Sequence, residues 1–164
     1  MKVVEVTPAD IKRLIAFLRT AWKEAGAGGL GFTGATEETI NEIASGEFLN
    51  DRLSNRNVEM YLAEDDGNVL GFAATKKIND DTVELSGIIV LESVTRKGVG
   101  TALFERVMST AIQGGLRKIV VKTEAINKRA ISFYMKKGLC KVNRIKEDVG
   151  GASVDLVVLE KILR

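Results

Sequence analysis

The chain has 164 residues, 45% of them hydrophobic and 28% charged, and its 24 Lys and Arg against 22 Asp and Glu leave a net charge of +2. That balance fits one globular domain over residues 1–164 that buries roughly 70% of its unfolded surface, and it is too weakly basic to argue for nucleic acid. Histidine is absent and Cys140 is the only cysteine, which excludes an imidazole triad, an internal disulfide and the commonest zinc ligand.

No metal is expected, and acid–base chemistry falls to carboxylates, Tyr, Lys, Cys or bound water. The opening MKVVEVTPAD lacks the apolar core of a signal peptide, and no apolar run approaches the roughly 20 residues that cross a bilayer. A cytoplasmic protein without membrane contact is the expectation.

In chain order, residues 2–6 predict a first strand, followed by Thr7 as a helix N-cap with Pro8 at the first helical position. Ile11, Leu14, Ile15, Leu18 and Trp22 then recur at helical spacing. A glycine-rich stretch at residues 26–34 reads as a lid or a plain connector. Thr36 is placed to cap a second helix that turns Ile40 and Ile43 inward.

Three strands follow, over residues 58–64, 69–78 and 82–91, joined by the turns Asp65-Asp66-Gly67-Asn68 and Asn79-Asp80-Asp81. A helix through Leu103, Phe104, Val107 and Ala111 runs to Gly114-Gly115. Residues 117–124 read as a strand, 128–137 as a helix closed by Gly138, and 140–146 with 153–159 as a hairpin around Gly150-Gly151. The order β-α-α-β-β-β-α-β-α-β-β describes a mixed α/β sheet with helices on its faces.

The sharpest local signal is Arg96-Lys97-Gly98-Val99-Gly100-Thr101, between a buried strand and a helix. Two glycines let the main chain approach a ligand, and the helix N-terminus offers free N–H groups and a positive dipole end. With two cations beside them, these residues could cradle a pyrophosphate; a glycine-rich turn with solvated basic residues is the alternative. The Walker pattern is absent, and only GxG of the Rossmann GxGxxG is present.

Residues 85–103, LSGIIVLESVTRKGVGTAL, resemble the central strand and pyrophosphate loop (Q/R-x-x-G-x-G/A) of the GNAT superfamily of N-acetyltransferases. Thr95 departs from the Gln or Arg of that pattern. The segment from Asn127 to Leu139 is similar to a second family block, N-x-x-A-I-x-F-Y-x-K-x-G-F, with Leu139 for Phe as the departure. The resemblance implies a mostly antiparallel sheet of six or seven strands, splayed between strands 4 and 5 and flanked by about four helices.

It also implies acetyl-CoA as acyl donor, with an amine as the other partner. The main chain of Ile88, Ile89 and Val90 would pair with the pantetheine arm. Arg96, Lys97, Gly98, Val99, Gly100 and Thr101 would hold the pyrophosphate. Asn127 would contact pantetheine or cap its helix, and Tyr134 would be the general acid for the departing thiolate. Glu84, Glu124 or water would take the amine proton. Cys140, the one thiol available for a covalent route, reads instead as a small buried hydrophobe.

The implied reaction is direct attack in a ternary complex. The acceptor (protein N-terminus, lysine, polyamine or small amine), the acyl length and the choice between monomer and homodimer stay open. The alternatives are a catalytically silent acyl-CoA sensor and a nucleotide-binding protein.

Overall fold

The computed structural model describes residues 1–25, 37–149 and 151–164. The expected Thr36 cap, the glycine-rich stretch and Gly150 lie outside the described residues. Seven strands form one sheet: β1 (Lys2–Glu5), β2 (Val58–Asp65), β3 (Asn68–Lys77), β4 (Thr82–Val90), β5 (Lys118–Glu124), β6 (Cys140–Val149) and β7 (Ala152–Ile162). Their order is β1-β2-β3-β4-β5-β7-β6. All neighbours are antiparallel except β4 and β5. The helices are α1 (Ile11–Ala25), α2 (Glu37–Ile43), α3 (Gly46–Ser54), α4 (Val99–Gln113) and α5 (Lys128–Lys136).

Each face of the sheet carries its own core. On one, Leu103, Phe104, Val107 and Ala111 of α4 join Ile131 and Tyr134 of α5 over Tyr61, Ala73, Leu85, Ile119, Val121 and Leu159. Leu103 is fully buried, a transfer from water of about 2 kcal/mol. On the other, Ile11, Leu14, Phe17, Leu18 and Ala21 of α1, with Ile40 and Leu49, cover Met60, Leu62, Phe72 and Ala74. Trp22 and Ile15 are half-buried at the rim of this second core.

The Asp66-Gly67 turn forms as the sequence predicts, with positive φ at both residues (48° and 80°), the twist a two-residue hairpin needs. Thr7 is the N-cap, as the sequence predicts. Its N–H and its hydroxyl both donate to the Asp10 carboxylate (2.8 and 3.1 Å), the return half of a capping box. Pro8 begins a 3-10 turn that leads into α1.

Helix α3 was not expected. Ser45 caps it by accepting from the Phe48 N–H at 3.2 Å, and Glu47 and Arg52 suit the two ends of its dipole. Gly46, Asn50 and Asp51 are weak helix formers that hide it from a propensity reading. The final hairpin is longer than predicted at both strands. Cys140, expected to be buried, is exposed at the start of β6.

Two irregularities open the sheet. Between Ala74 and Thr75 of β3 the partner moves from Gly87 to Leu85, so Ser86 is an extra residue bulged from β4. The parallel ladder of β4 with β5 covers only Thr82–Leu85 against Lys118–Val121. Past that point β4 stays paired to β3 as far as Val90, and β5 to β7 as far as Glu124. The two strands diverge, and a cleft lies between them.

Candidate active site

The cleft has a volume of about 980 Å³. One wall is the end of β4 and the turn after it: Ile88, Ile89, Val90, Glu92, Thr95, Arg96, Gly98, Gly100 and Thr101. The other is the start and inner face of α5, including Asn127, Arg129, Phe133 and Tyr134. Two segments distant in the sequence thus face each other across the point where the sheet splits.

The turn is shaped by its backbone. Arg96 and Gly98 both adopt left-handed conformations, with φ of 65° and 84°, and Gly98 is the N-cap of α4. That geometry directs the main chain from the end of β4 into α4 within a few residues, and the helix N-terminus opens toward the cleft. A Cβ on Gly100 would meet Phe133 at 3.6 Å and Val90 at 3.7 Å, ordinary contacts. A Cβ on Gly71 of β3 would lie 2.8 Å from Val99 and 2.9 Å from Leu103, so that glycine lets α4 sit close to the sheet.

Asn127 caps α5, its Oδ1 accepting from the Ala130 N–H at 3.1 Å. At the helix's other end Lys161 donates to the Lys137 carbonyl at 3.0 Å. Tyr134 is buried to 5% exposure but still lines the cleft. Burial pushes its phenol pKa well above the ordinary value, so it carries its proton at any physiological pH. Phe133 stands edge-on to it with centroids 5.3 Å apart, and Phe104 lies 6.4 Å away. Those rings fix where the phenol points.

The sequence-predicted residues do not all meet in one place. Lys97 and Val99 are outside the cleft lining, and Val99 is buried against the first core. Glu84 also lies outside it. It occupies the last rung but one of the β4–β5 ladder and pairs with Lys122 at 3.7 Å. Lys122 in turn reaches Glu147 at 3.0 Å, and chiefly through that bond its pKa is raised. Glu124 is buried near the end of β5.

One cleft feature went unread in the sequence. Arg129 of α5 bonds the Glu92 carboxylate at 3.2 Å across the two walls, and the Glu92 N–H donates to Glu24 of α1 at 2.8 Å. Arg129 lies inside the NKRAISFY segment, but nothing in the spacing names Glu92 as its partner. Among the described residues no cluster of His, Cys, Asp or Glu is gathered to hold a metal, and no helix is long and apolar enough to cross a membrane.

A split between parallel strands, with a glycine turn at one wall and an Asn-capped helix at the other, matches the arrangement implied above. The acetyltransferase (GNAT) family's sequence model matches residues 28–139. The chain belongs to the GNAT acetyltransferase family. Curated relatives, uncharacterized N-acetyltransferases of Mycobacterium bovis and Mycobacterium tuberculosis, are 33% identical over 81 residues. That match covers 49% of this chain and 51% of theirs, so the chain spans about half the length of the curated relatives it matches.

Solved structures share the fold over most or all of the chain. A Streptococcus mutans protein superposes with a TM-score of 0.80 at 20% identity, covering 100% of both chains. The PaiA N-acetyltransferase of Thermoplasma acidophilum, solved with coenzyme A, gives 0.76 at 24% identity, with 98% of each chain covered. A GNAT acetyltransferase of Elizabethkingia anophelis with acetyl-CoA bound gives 0.60 at 22% identity, over 73% of this chain and 84% of that one.

Proposed function

We propose that this GNAT protein moves the acetyl group of acetyl-CoA to a primary amine by direct attack in a ternary complex. The observation that carries the reading is the cleft itself. It opens where β4 leaves β5, so the edge of Ile88–Val90 away from β3 has no strand neighbour among the described residues and can pair with an extended amide-bearing arm. Gly98, Gly100 and the start of α4, suited to a pyrophosphate, form one wall, and Tyr134 of α5 lines the other. The coenzyme A and acetyl-CoA held by two fold neighbours support this choice of donor.

The chemistry then follows. The amine nitrogen attacks the thioester carbonyl, whose oxygen gains negative charge facing a main-chain N–H near Ile89 or Val90. The C–N bond forms, the C–S bond breaks, and the amine's extra proton passes to water or, through it, to Glu84 or Glu124. Tyr134 gives its proton to the departing sulfur, and solvent restores both groups. Because its pKa is raised, the phenol first acts as a hydrogen-bond donor to the thiolate, and the proton follows as charge builds there. Asn127 holds the start of α5 and faces the same cleft. We place the reaction in the cytoplasm, where the free thiol of Cys140 is at home.

Calorimetry with acetyl-CoA, ATP and NAD, followed by thiol release over a panel of amines, tests the reading. Selective acetyl-CoA binding with amine-dependent thiol release supports it. Binding without release on any amine leaves an acyl-CoA sensor, and absence of binding removes the proposed donor.

A further inference from the structure

Among the described residues four cations line the cleft, Arg96, Lys128, Arg129 and Lys136, against one carboxylate, Glu92. Glu92 is already bonded to Arg129 at 3.2 Å. Arg96 stands on the glycine turn itself. That leaves Lys128 and Lys136 of α5, and among the described residues neither has a carboxylate within 4.0 Å. Unmatched positive charge along one wall of a cavity draws an anion into it.

The spacing of the lysines gives that anion a place. Lys128, Ser132 and Lys136 recur at every fourth residue, so they share one face of α5, and all three line the cleft. About 6 Å of helix rise separates Ser132 from each lysine, within reach of either stem. The next residue, Phe133, ties this face to the glycine turn. A Cβ on Gly100 would lie 3.6 Å from its ring, and the ring meets Phe104 of α4 edge-on with centroids 6.1 Å apart. These contacts set the row beside the start of α4. The turn itself adds little there, because the Thr95 hydroxyl donates to the Glu92 carbonyl at 2.9 Å.

We propose that Lys128, Ser132 and Lys136 hold a phosphate monoester, the 3′-phosphate on the ribose of coenzyme A, so that the protein tells this donor from one lacking that group. This rests on the acetyl-CoA reading above and names the part of the donor that α5 reads. A phosphate monoester carries about two negative charges near neutral pH, which the two ammonium groups match. In coenzyme A that ribose adjoins the pyrophosphate, as the lysine row adjoins the turn proposed to hold it. Lysine suits the role, since a point charge on a flexible stem can follow a phosphate without a fixed fork geometry.

Calorimetry with coenzyme A and 3′-dephospho-coenzyme A, which differ in that phosphate alone, tests the assignment. The parent protein is expected to bind coenzyme A about 10-fold more tightly, as two exposed charge contacts would give. Lys128→Gln and Lys136→Gln should each lower that ratio, and the double substitution should bring it near one. All these side chains are exposed, so urea midpoints should stay with the parent, and a lost ratio then reports the contact and not the fold. Lys12→Gln, the same change of charge on α1 outside the cleft lining, should leave the ratio unchanged. Equal binding of the two ligands by the parent overturns the proposal and leaves the acetyl-CoA reading standing. A ratio that survives the double substitution, or that Lys12→Gln lowers as far, overturns it too. If neither ligand binds, the donor reading and this one fall together.

Discussion

Tyr134 is held by Phe104 and Phe133 and raised in pKa by burial alone. Its side chain is thus both part of the core and a wall of the cleft. Tyr134→Phe keeps the packing and removes the proton, so kcat is expected to drop by about 100-fold, the low end for a positioned acid. The KM for acetyl-CoA should hardly move; a kcat within about 2-fold of the parent would remove Tyr134 from the proton path. The turn glycines separate in the same way. Gly98→Ala places a Cβ at φ 84°, at a cost of about 1–2 kcal/mol, whereas Gly100→Ala makes only ordinary contacts with its neighbours. Urea unfolding of the two variants should differ by about that amount, with Gly98→Ala the weaker.

Among the elements, α5 depends most visibly on its ends. Asn127 caps the first and Lys161 the last, and Tyr134 lies between them. Asn127→Ala is expected to cost about 1 kcal/mol by urea unfolding. It should also raise the KM for acetyl-CoA if the side chain meets pantetheine; a loss of stability with no change in KM would make Asn127 a cap alone. Helix α4 is held differently, by close approach to β3 over Gly71 and by the fully buried Leu103. Leu103→Ala is expected to cost about 2–5 kcal/mol, measured the same way. That change also loosens the helix whose N-terminus forms the proposed pyrophosphate turn.

Across the whole molecule, the second core is fastened at its edge by charge. Burial opposes ionised Asp10, but the Thr7 N–H and Arg13 outweigh it, and Asp10 stays below its ordinary pKa. Arg13, against burial and with help from Lys2, does the same for Glu64. Both carboxyls therefore have folded pKa values below 3.8 and 4.5, their ordinary values. As pH falls past those values the unfolded chain takes up protons first, and the contribution is lost as pH passes through the folded values. Urea midpoints are thus expected to fall between pH 5 and pH 3, and Arg13→Met should flatten that decline; an equally steep decline would place the acid sensitivity elsewhere. Near neutral pH, acetyl-CoA at about 100 times its Kd should add about 2.7 kcal/mol of stability, read as a rise in Tm.

Local chemistry was legible without coordinates. Among the described residues, hydrophobic period, turn residues and caps placed all seven strands, four of the five helices and the Asp66-Gly67 turn, because each depends on neighbours in the chain. The RKGVG turn and the NKRAISFY segment identified the family for the same reason. Longer-range outcomes were not legible. The bulge at Ser86 and the early end of the β4–β5 ladder are set by how three strands register against one another. Helix α3 has weak propensity and is held by Leu49 packing into the second core. The Arg129–Glu92 bridge joins residues 37 positions apart. Sequence alone determined the family and every element of the described residues but α3, since those are written in short-range pattern. Tertiary structure decided which charges meet, because a charge is paired or left bare only once the sheet and its helices have packed.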